Sequence, residues 1–240
     1  MATLINPEKY IGLTEDGHIL LKNNNLHLEV VCDQERSLHK SGIFDVILES
    51  AITTIVDFED SASTVSNAEK IHAYRNYLGL MKRELSTTFT KGGETITRSL
   101  NEDKVCTDIH GEKFSLAGTS LTLVRHVGIH MMTGIVSNLD DSPIPEGILD
   151  AMVTSLIALH DIKIKANSKK GSIYIVKPKL HGPEEVKFTM ELFGLVEKAL
   201  SLKTNTLKIG VMDEERRTTL NLKSCIHEAK SRIIFINTGF

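Results

Sequence analysis

Apolar and polar positions follow two different patterns along this chain, and the patterns predict two kinds of structure. In the C-terminal half, short apolar runs alternate with stretches in which apolar residues recur at helical spacing. Near-continuous apolar strands separated by helices are typical of a parallel sheet buried on both faces. The predicted elements of this system are strands over 51–56, 120–124, 172–176, 207–212 and 232–236, and helices over 145–166, 183–200 and 218–229.

The remaining sequence alternates in the manner of antiparallel strands. Residues 17–31 alternate around Asn23–Asn25, and residues 87–100 alternate around Gly92–Gly93, which is typical of β-hairpins. A further turn is predicted at 108–111. Because these pieces bracket the first buried strand and the helix after it, the pattern predicts a small α+β module inserted into a larger parallel α/β domain.

Composition narrows the class of protein. The 240 residues carry a net charge of -3, which offers no basic surface to nucleic acid. Charge interrupts every apolar run before it could span a membrane, and the first residues lack the features of a signal peptide. Cys32, Cys106 and Cys225 are scattered, which argues against a disulfide framework or a zinc site. We therefore expect a cytoplasmic protein with no nucleic-acid or membrane partner.

Charged residues follow the predicted parallel strands at the points where they end. The first strand is followed by Asp57, Glu59 and Asp60, the second by Arg125, and a later one by 213–217, which holds three acids and two arginines. The carboxyl ends of parallel strands meet at one edge of a sheet. Acids from two strands and an arginine from a third suit Mg²⁺ and a small oxyacid, since Mg²⁺ prefers oxygen ligands and a guanidinium pairs with carboxylates.

Each of these signals has a structural alternative that the pattern leaves open. The acids at 57–60 also suit a solvated loop or a helix cap, and the charges at 213–217 also suit the first turn of a helix. Arg125 could form a purely structural salt bridge. The chain lacks a Walker loop, a G-x-G-x-x-G turn and a G-x-S-x-G elbow, which argues against nucleotide, dinucleotide and serine-hydrolase chemistry.

Seven segments resemble malate synthases of the G isoform, and the similarity runs almost from end to end. These segments are TTIVDFEDS (53–61), YRNYLGLMK (74–82), VRHVG (124–128), IPEGI (144–148), GSIYIVKPKLHGP (171–183), MDEERRT (212–218) and FINTGF (235–240). The resemblance implies an α/β fold: a partial TIM (β/α)₈ barrel with an inserted small α/β module rich in antiparallel strands. On this basis the module is predicted over 1–50 and 83–120, and the catalytic barrel domain over 51–82 and 121–240.

The resemblance also implies an activity, a cofactor and residue roles. The family condenses acetyl-CoA with glyoxylate using Mg²⁺ and hydrolyses the product to malate and CoA, as a monomer serving the glyoxylate cycle. Arg125 corresponds to the arginine that binds glyoxylate and stabilises the enolate oxygen, and Glu214 to a Mg²⁺ ligand at the substrate. Asp57 and Glu59 resemble the acids that organise the arginine and the metal's water shell.

Four more residues match positions that contact the substrates. Gly239 and Phe240 match the start of the glyoxylate-binding loop, while Ser61 and Arg98 match contacts to the nucleotide portion of acetyl-CoA. In the family, the second Mg²⁺ ligand and the catalytic base lie at positions that would come after Phe240. Only about five of the eight barrel strands are represented in this chain. We therefore expect the isolated chain to have little synthase activity and to be soluble only with difficulty.

Two other readings of the sequence remain open. One is a non-catalytic binding module that keeps weak affinity for Mg²⁺ or glyoxylate, or a half-enzyme that pairs with a separately encoded remainder. The other is a different Mg²⁺-dependent carbon–carbon lyase or synthase on the same barrel, since it would share the strand-end acids and the arginine. The sequence around Arg125 and Glu214 favours malate synthase.

Overall fold

The computed structural model describes residues 3–48, 53–59 and 64–238. A short 3₁₀ turn, Pro7–Lys9, precedes the regular elements. These elements are, in chain order, β1 (Tyr10–Thr14), β2 (Ile19–Asn23), β3 (Leu26–Cys32), β4 (Ile43–Leu48), β5 (Thr53–Asp57), α1 (Asn67–Met81), β6 (Ser86–Lys91), β7 (Glu94–Ser99), β8 (Lys104–Thr107), β9 (Lys113–Leu116), β10 (Leu121–Arg125), β11 (Met132–Ser137), β12 (Pro143–Pro145), α2 (Glu146–Ile164), β13 (Ile173–Lys177), α3 (Pro183–Ala199), β14 (Leu207–Met212), α4 (Arg216–Leu220), α5 (Leu222–Ala229) and β15 (Ile233–Asn237).

A five-stranded parallel sheet forms the larger of two compact units. Its order, β15-β14-β13-β10-β5, follows the chain order of these strands, and helices connect successive strands. A sheet that winds in one direction without reversing is the arrangement of part of a β/α barrel. Within the described residues the sheet is open, with β5 and β15 at its edges. The predicted parallel α/β fold is confirmed.

The helices begin and end where local chemistry allows. Ser66 and Glu69 form a capping box at the start of α1, and Pro183 occupies the first turn of α3. The helix predicted over 218–229 is wrong in one respect: it is two helices that meet at Asn221. There the Asn221 side-chain amide donates to the backbone oxygen of Arg217 at 2.8 Å, which ends α4 before α5 begins.

The two faces of the parallel sheet carry different apolar clusters. The face covered by the helices holds the main core, in which Val124, Ile175, Ile209 and Phe193 are completely buried. The opposite face carries a smaller cluster around Leu123, Val176 and Met212, together with the Phe235 ring. This cluster depends on Gly210, because a Cβ there would lie 2.1 Å from that ring.

The smaller unit is an antiparallel sheet of order β4-β3-β2-β1-β8-β9. It groups Met1–Ile52 with Asn101–Ser120. Its hairpin β2–β3 turns at Asn24 and Asn25, whose φ values of 48° and 67° are left-handed, as a tight hairpin turn with the right twist requires. The hairpins predicted around Asn23–Asn25 and Gly92–Gly93 are both confirmed.

The unit boundaries differ from the predicted domain boundaries at one hairpin. The hairpin β6–β7 falls in the larger unit, which groups Thr53–Leu100 with Leu121–Phe240, whereas the sequence assigned 83–120 to the inserted module. The domain assignment itself stays a prediction. In the part of the chain that the structure describes, no helix is both long enough and apolar enough to cross a membrane.

Candidate active site

The carboxyl ends of β5 and β10 join an arginine to an aspartate. These strands run parallel, with Arg125 opposite Asp57. The Arg125 Nε donates to Asp57 Oδ1 and its Nη2 donates to Asp57 Oδ2, each at 2.8 Å. Both side chains are 12% exposed. Because a bidentate pair fixes the plane of the guanidinium, Arg125 is held in one orientation at the rim of the sheet.

Glu59 brings a second acid to the same rim. Its backbone N–H donates to Asp57 Oδ1 at 2.8 Å, so the Asp57 side chain orients the segment that follows it. Glu59 Oε2 lies 3.7 Å from Arg125 Nη2 and 3.5 Å from Lys179 Nζ. Glu59 therefore stands between a guanidinium and an ammonium.

Lys179 links this group to the end of β14. Its backbone N–H donates to Glu214 Oε1 at 2.8 Å, and its Nζ lies 3.9 Å from Glu214 Oε2. Lys179 has a φ of 51°, a left-handed conformation that costs a non-glycine residue about 1–2 kcal/mol. The bond from its N–H to Glu214 stabilises that conformation and points the ammonium between the two carboxylates.

Lys177, the last residue of β13, lies beneath this rim and is 1% exposed. Its Nζ donates to the backbone oxygen of Val127 at 2.8 Å. Burial lowers the pKa of Lys177 to about 8, although the nearby Asp150 and Glu59 carboxylates oppose that change. A lysine with so low a pKa, next to a group of partly buried charges, is a feature typical of functional sites.

The donor set at the rim suits a magnesium ion. Glu59 and Glu214 each direct an oxygen at one shared cation, the Lys179 ammonium, at 3.5 and 3.9 Å. Mg²⁺ is held in many proteins by one or two carboxylates and several waters. Among the described residues, however, no three histidine, cysteine, aspartate or glutamate side chains are grouped as a metal cage. Glu59 and Glu214 are thus two carboxylates of the kind that a magnesium site would need.

Arg98, predicted to contact acetyl-CoA, lies on β7. Its guanidinium stands over the Phe89 ring, 5.1 Å from the centroid. It lines a pocket of about 430 Å³ together with His72 and Asn76 of α1. The structure thus gives Arg98 a pocket of its own on the hairpin β6–β7.

The structure brings together four of the residues predicted for the site: Asp57, Glu59, Arg125 and Glu214. Their roles stay predictions. Three other predicted site residues, Ser61, Gly239 and Phe240, lie outside the described residues.

Two lysines of the rim were not assigned a role from the sequence. Lys177 and Lys179 belong to the charged end of a predicted strand, and the proline between them was the available signal that the chain turns there. A strand-end position predicts proximity to the rim. It does not distinguish the buried Lys177 from the partly exposed Lys179, because their depth depends on the turn that follows β13.

Known proteins are similar in sequence to this chain. Residues 121–240 match the family described as malate synthase, TIM barrel domain. The chain is also similar to a malate synthase G from Halalkalibacterium halodurans, with 53% identity over 228 residues that cover 92% of this chain and 31% of the relative.

Two further relatives give the same result. A malate synthase G from Corynebacterium efficiens is 49% identical over 97% of this chain, and one from Corynebacterium glutamicum is 48% identical over 99% of it. The chain covers 32% and 33% of these two proteins. It therefore spans about a third of the length of the curated relatives it matches.

Proposed function

The chain belongs to the malate synthase family, and from this membership we propose that it supplies the glyoxylate- and magnesium-binding part of a malate synthase. The reaction is the condensation of acetyl-CoA with glyoxylate, followed by hydrolysis to malate and CoA. The observation that carries the proposal is the bidentate Arg125–Asp57 pair with Glu59 and Glu214 beside it at one rim.

Arg125 binds the negative charge of glyoxylate and of the enolate oxygen. A guanidinium presents five N–H donors in a fixed plane, and its two bonds to Asp57 set the direction of that plane before substrate arrives. Donors that are already oriented stabilise a developing oxyanion without a further cost of reorganisation. Asp57 thus orients the Arg125 guanidinium. Glu59, 3.7 Å from Arg125 Nη2, limits the movement of that guanidinium.

Glu214 would hold Mg²⁺ through its carboxylate oxygens, and Glu59 would orient the waters around the ion. When bound, the ion would act as a Lewis acid on the aldehyde of glyoxylate. The Lys179 ammonium would have to move from its position between the two carboxylates, and its side chain is 32% exposed.

The nucleotide portion of acetyl-CoA binds at the pocket lined by Arg98, His72 and Asn76. A guanidinium that leans on the Phe89 ring suits a phosphate, which it can contact through two donors. We propose that Ser61 also contacts the nucleotide portion of acetyl-CoA; this assignment rests only on the family resemblance.

The proposed enzyme works as a cytoplasmic monomer in the glyoxylate cycle, again by the resemblance. Since the relatives are about three times as long, we propose that this chain alone binds glyoxylate with Mg²⁺ but turns over poorly.

The test is a calorimetric titration of the chain with glyoxylate in the presence and absence of Mg²⁺. We expect binding that requires Mg²⁺ and that falls by about tenfold or more in Arg125→Lys, because a point charge cannot reproduce the two-bonded planar fork. Arg36→Lys is the matched control. Arg36 also has an aspartate, Asp33, as its partner, but it lies in the smaller unit.

The outcome against the proposal is equally definite. Glyoxylate binding that is insensitive to both Mg²⁺ and Arg125→Lys would remove Arg125 from its role. A parallel assay of CoA release from acetyl-CoA checks the chemistry: release that proceeds without glyoxylate would indicate a simple thioesterase.

A further inference from the structure

A layer of buried charge lies beneath the rim and has no part in the function proposed above. Its centre is Asp150 of α2, which is completely buried. Asp150 accepts hydrogen bonds from the Tyr74 hydroxyl at 2.6 Å and from the Val127 N–H at 2.9 Å, and it lies 2.9 Å from Lys70 Nζ. Burial alone would raise the pKa of Asp150, but the neighbouring His126, Lys70 and these two donors lower it below its ordinary value. Asp150 is therefore a carboxylate.

The charges of this layer balance. Lys70 also pairs with Glu146 at 2.6 Å, so that two lysines, Lys70 and Lys177, face two acids, Glu146 and Asp150. His126 adds no charge, because burial lowers its pKa to about 3. The Thr154 hydroxyl donates to the Asp150 backbone oxygen and accepts from His126 Nε2, which fixes the neutral tautomer of the ring.

Two side chains of the layer form hydrogen bonds with the backbone just after Arg125. Asp150 holds the Val127 N–H at 2.9 Å, and Lys177 Nζ holds the Val127 carbonyl at 2.8 Å. The intervening residue is also fixed, since the His126 N–H donates to the Val176 oxygen at 3.1 Å. Thus both backbone polar groups of Val127, two residues beyond the arginine, are bound to buried charged side chains.

The same layer touches the segment that carries the acids. Lys70 Nζ lies 5.0 Å from the centroid of the Phe58 ring, a cation–π distance. Phe58 also packs edge-on against Tyr74, with centroids 5.3 Å apart. Because Phe58 lies between Asp57 and Glu59, the layer fixes the chain on both sides of the Arg125–Asp57 pair.

Stability alone does not explain so many buried charges. Replacing a buried ion pair by apolar side chains of similar volume is often neutral or stabilising, because desolvation offsets most of the attraction. Unlike apolar side chains, Asp150 and Lys177 form directed hydrogen bonds with specific backbone groups, the N–H and the carbonyl of Val127. We propose that Asp150 and Lys177 are positioning residues that fix the direction of the Arg125 guanidinium through the backbone N–H and carbonyl of Val127.

This proposal rests on the proposed function only for the use made of Arg125, so its test needs no substrate. Uniform ¹⁵N labelling allows the hydrogen exchange of Arg125 Nε–H to be measured by NMR and divided by that of the Ile209 amide in the core of the sheet. We expect this ratio to rise by about tenfold or more in Asp150→Asn and in Lys177→Met. The methionine leaves the Val127 carbonyl without its donor, and the asparagine replaces the charged acceptor of the Val127 N–H by a weaker neutral one.

Glu197→Gln is the matched control. It removes a buried charge from the opposite end of the same sheet, where Glu197 pairs with Arg232. It should speed the exchange of the Ile209 amide, which donates to the Arg232 backbone oxygen at 3.0 Å, and it should therefore not raise the ratio. Tyr74→Phe is a milder variant that removes only a hydroxyl from Asp150, and a rise of about threefold is expected from it.

Two results would overturn the proposal. One is an unchanged ratio in Asp150→Asn and Lys177→Met, which would make the layer purely structural. The other, decisive if those variants fail to fold, is an unchanged ratio in Tyr74→Phe. If the wild-type chain does not bind glyoxylate, the proposed function is contradicted, but the exchange ratio still tests the positioning role of Asp150 and Lys177.

Discussion

The two ends of the parallel sheet each contain an arginine paired with an acid, and they use it differently. At the amino end, Arg232 Nη2 donates to Glu197 Oε2 at 2.8 Å, and the Leu207 N–H donates to Glu197 Oε1 at 2.8 Å. These side chains are 6% and 4% exposed. The pair is closed off from solvent, and its donors and acceptors are used to tie α3 to the starts of β14 and β15.

At the carboxyl end, the Arg125–Asp57 pair has further charges beside it. Glu59, Lys179 and Glu214 continue the group outward, and the Lys179 side chain is 32% exposed. An ion pair that is closed off from solvent joins elements of the fold. An ion pair with partly exposed charges beside it produces an electrostatic field at the surface, where it can attract a charged ligand. The comparison teaches that the neighbours of an ion pair, more than the pair itself, distinguish structure from function.

The largest expected effect comes from breaking the closed pair. Glu197→Gln leaves the Arg232 guanidinium buried without its counter-charge, which should lower the free energy of unfolding by about 3 kcal/mol. Urea unfolding followed by circular dichroism measures this. Glu191→Gln, on the exposed side of the same helix, should change it by less than about 0.5 kcal/mol. A loss below about 1 kcal/mol for Glu197→Gln would contradict the role given to the closed end.

A smaller effect should follow from the pH dependence of the open end. Because the pKa of Lys177 is about 8 in the folded protein against 10.5 ordinarily, the unfolded chain binds more protons than the native one between these values. The free energy of unfolding therefore rises with pH in this window by up to about 1.4 kcal/mol per pH unit, and the contribution is constant below pH 8.

Lys177→Met should lack this slope, so the difference between the two proteins in urea unfolding should change between pH 8 and pH 10.5. The groups that face Lys177 are Asp150, Glu59 and Glu185, which favour its charge, and Lys70, which opposes it. Lys208→Met, on the neighbouring strand, serves as the control. Parallel pH profiles for wild type and Lys177→Met would rule out a titration of Lys177 in this range.

The smallest effect concerns the ammonium between the two carboxylates. Lys179→Met removes a cation that competes with Mg²⁺ for Glu59 and Glu214, so the affinity for a divalent ion should rise by about fivefold, or roughly 1 kcal/mol at this partly exposed position. Titration with Mn²⁺ followed by electron paramagnetic resonance measures the affinity. Lys187→Met on α3 should leave it unchanged. A weaker affinity in Lys179→Met would mean that the lysine assists the ion.

The apolar pattern was sufficient to predict the parallel sheet and the group at its rim. Each strand had only to be recognised as buried, since parallel pairing then brings all carboxyl ends to one edge. This is why Asp57, Glu59, Arg125 and Glu214, spread over three strands, could be placed together from the sequence alone.

The layer beneath the rim could not be predicted in this way. Lys70 and Asp150 come from helices, and which side of a helix faces the sheet depends on packing as well as on periodicity. One signal was available: Glu146 and Asp150 lie one helical turn apart in a segment that is otherwise strongly apolar. The interruption at Asn221 was missed because a side-chain bond to the backbone, not a glycine or a proline, ends α4.

The Arg125–Asp57 bond joins residues 68 positions apart, with the whole of the smaller unit's second segment between them. The entropy lost in closing a chain segment grows only with the logarithm of its length, so doubling the segment costs about 0.6 kcal/mol. Lengthening the turns of the smaller unit's second segment, Asn101–Ser120, should therefore cost the pairing of β5 and β10 little. The strand pairing thus makes the site insensitive to the length of that segment.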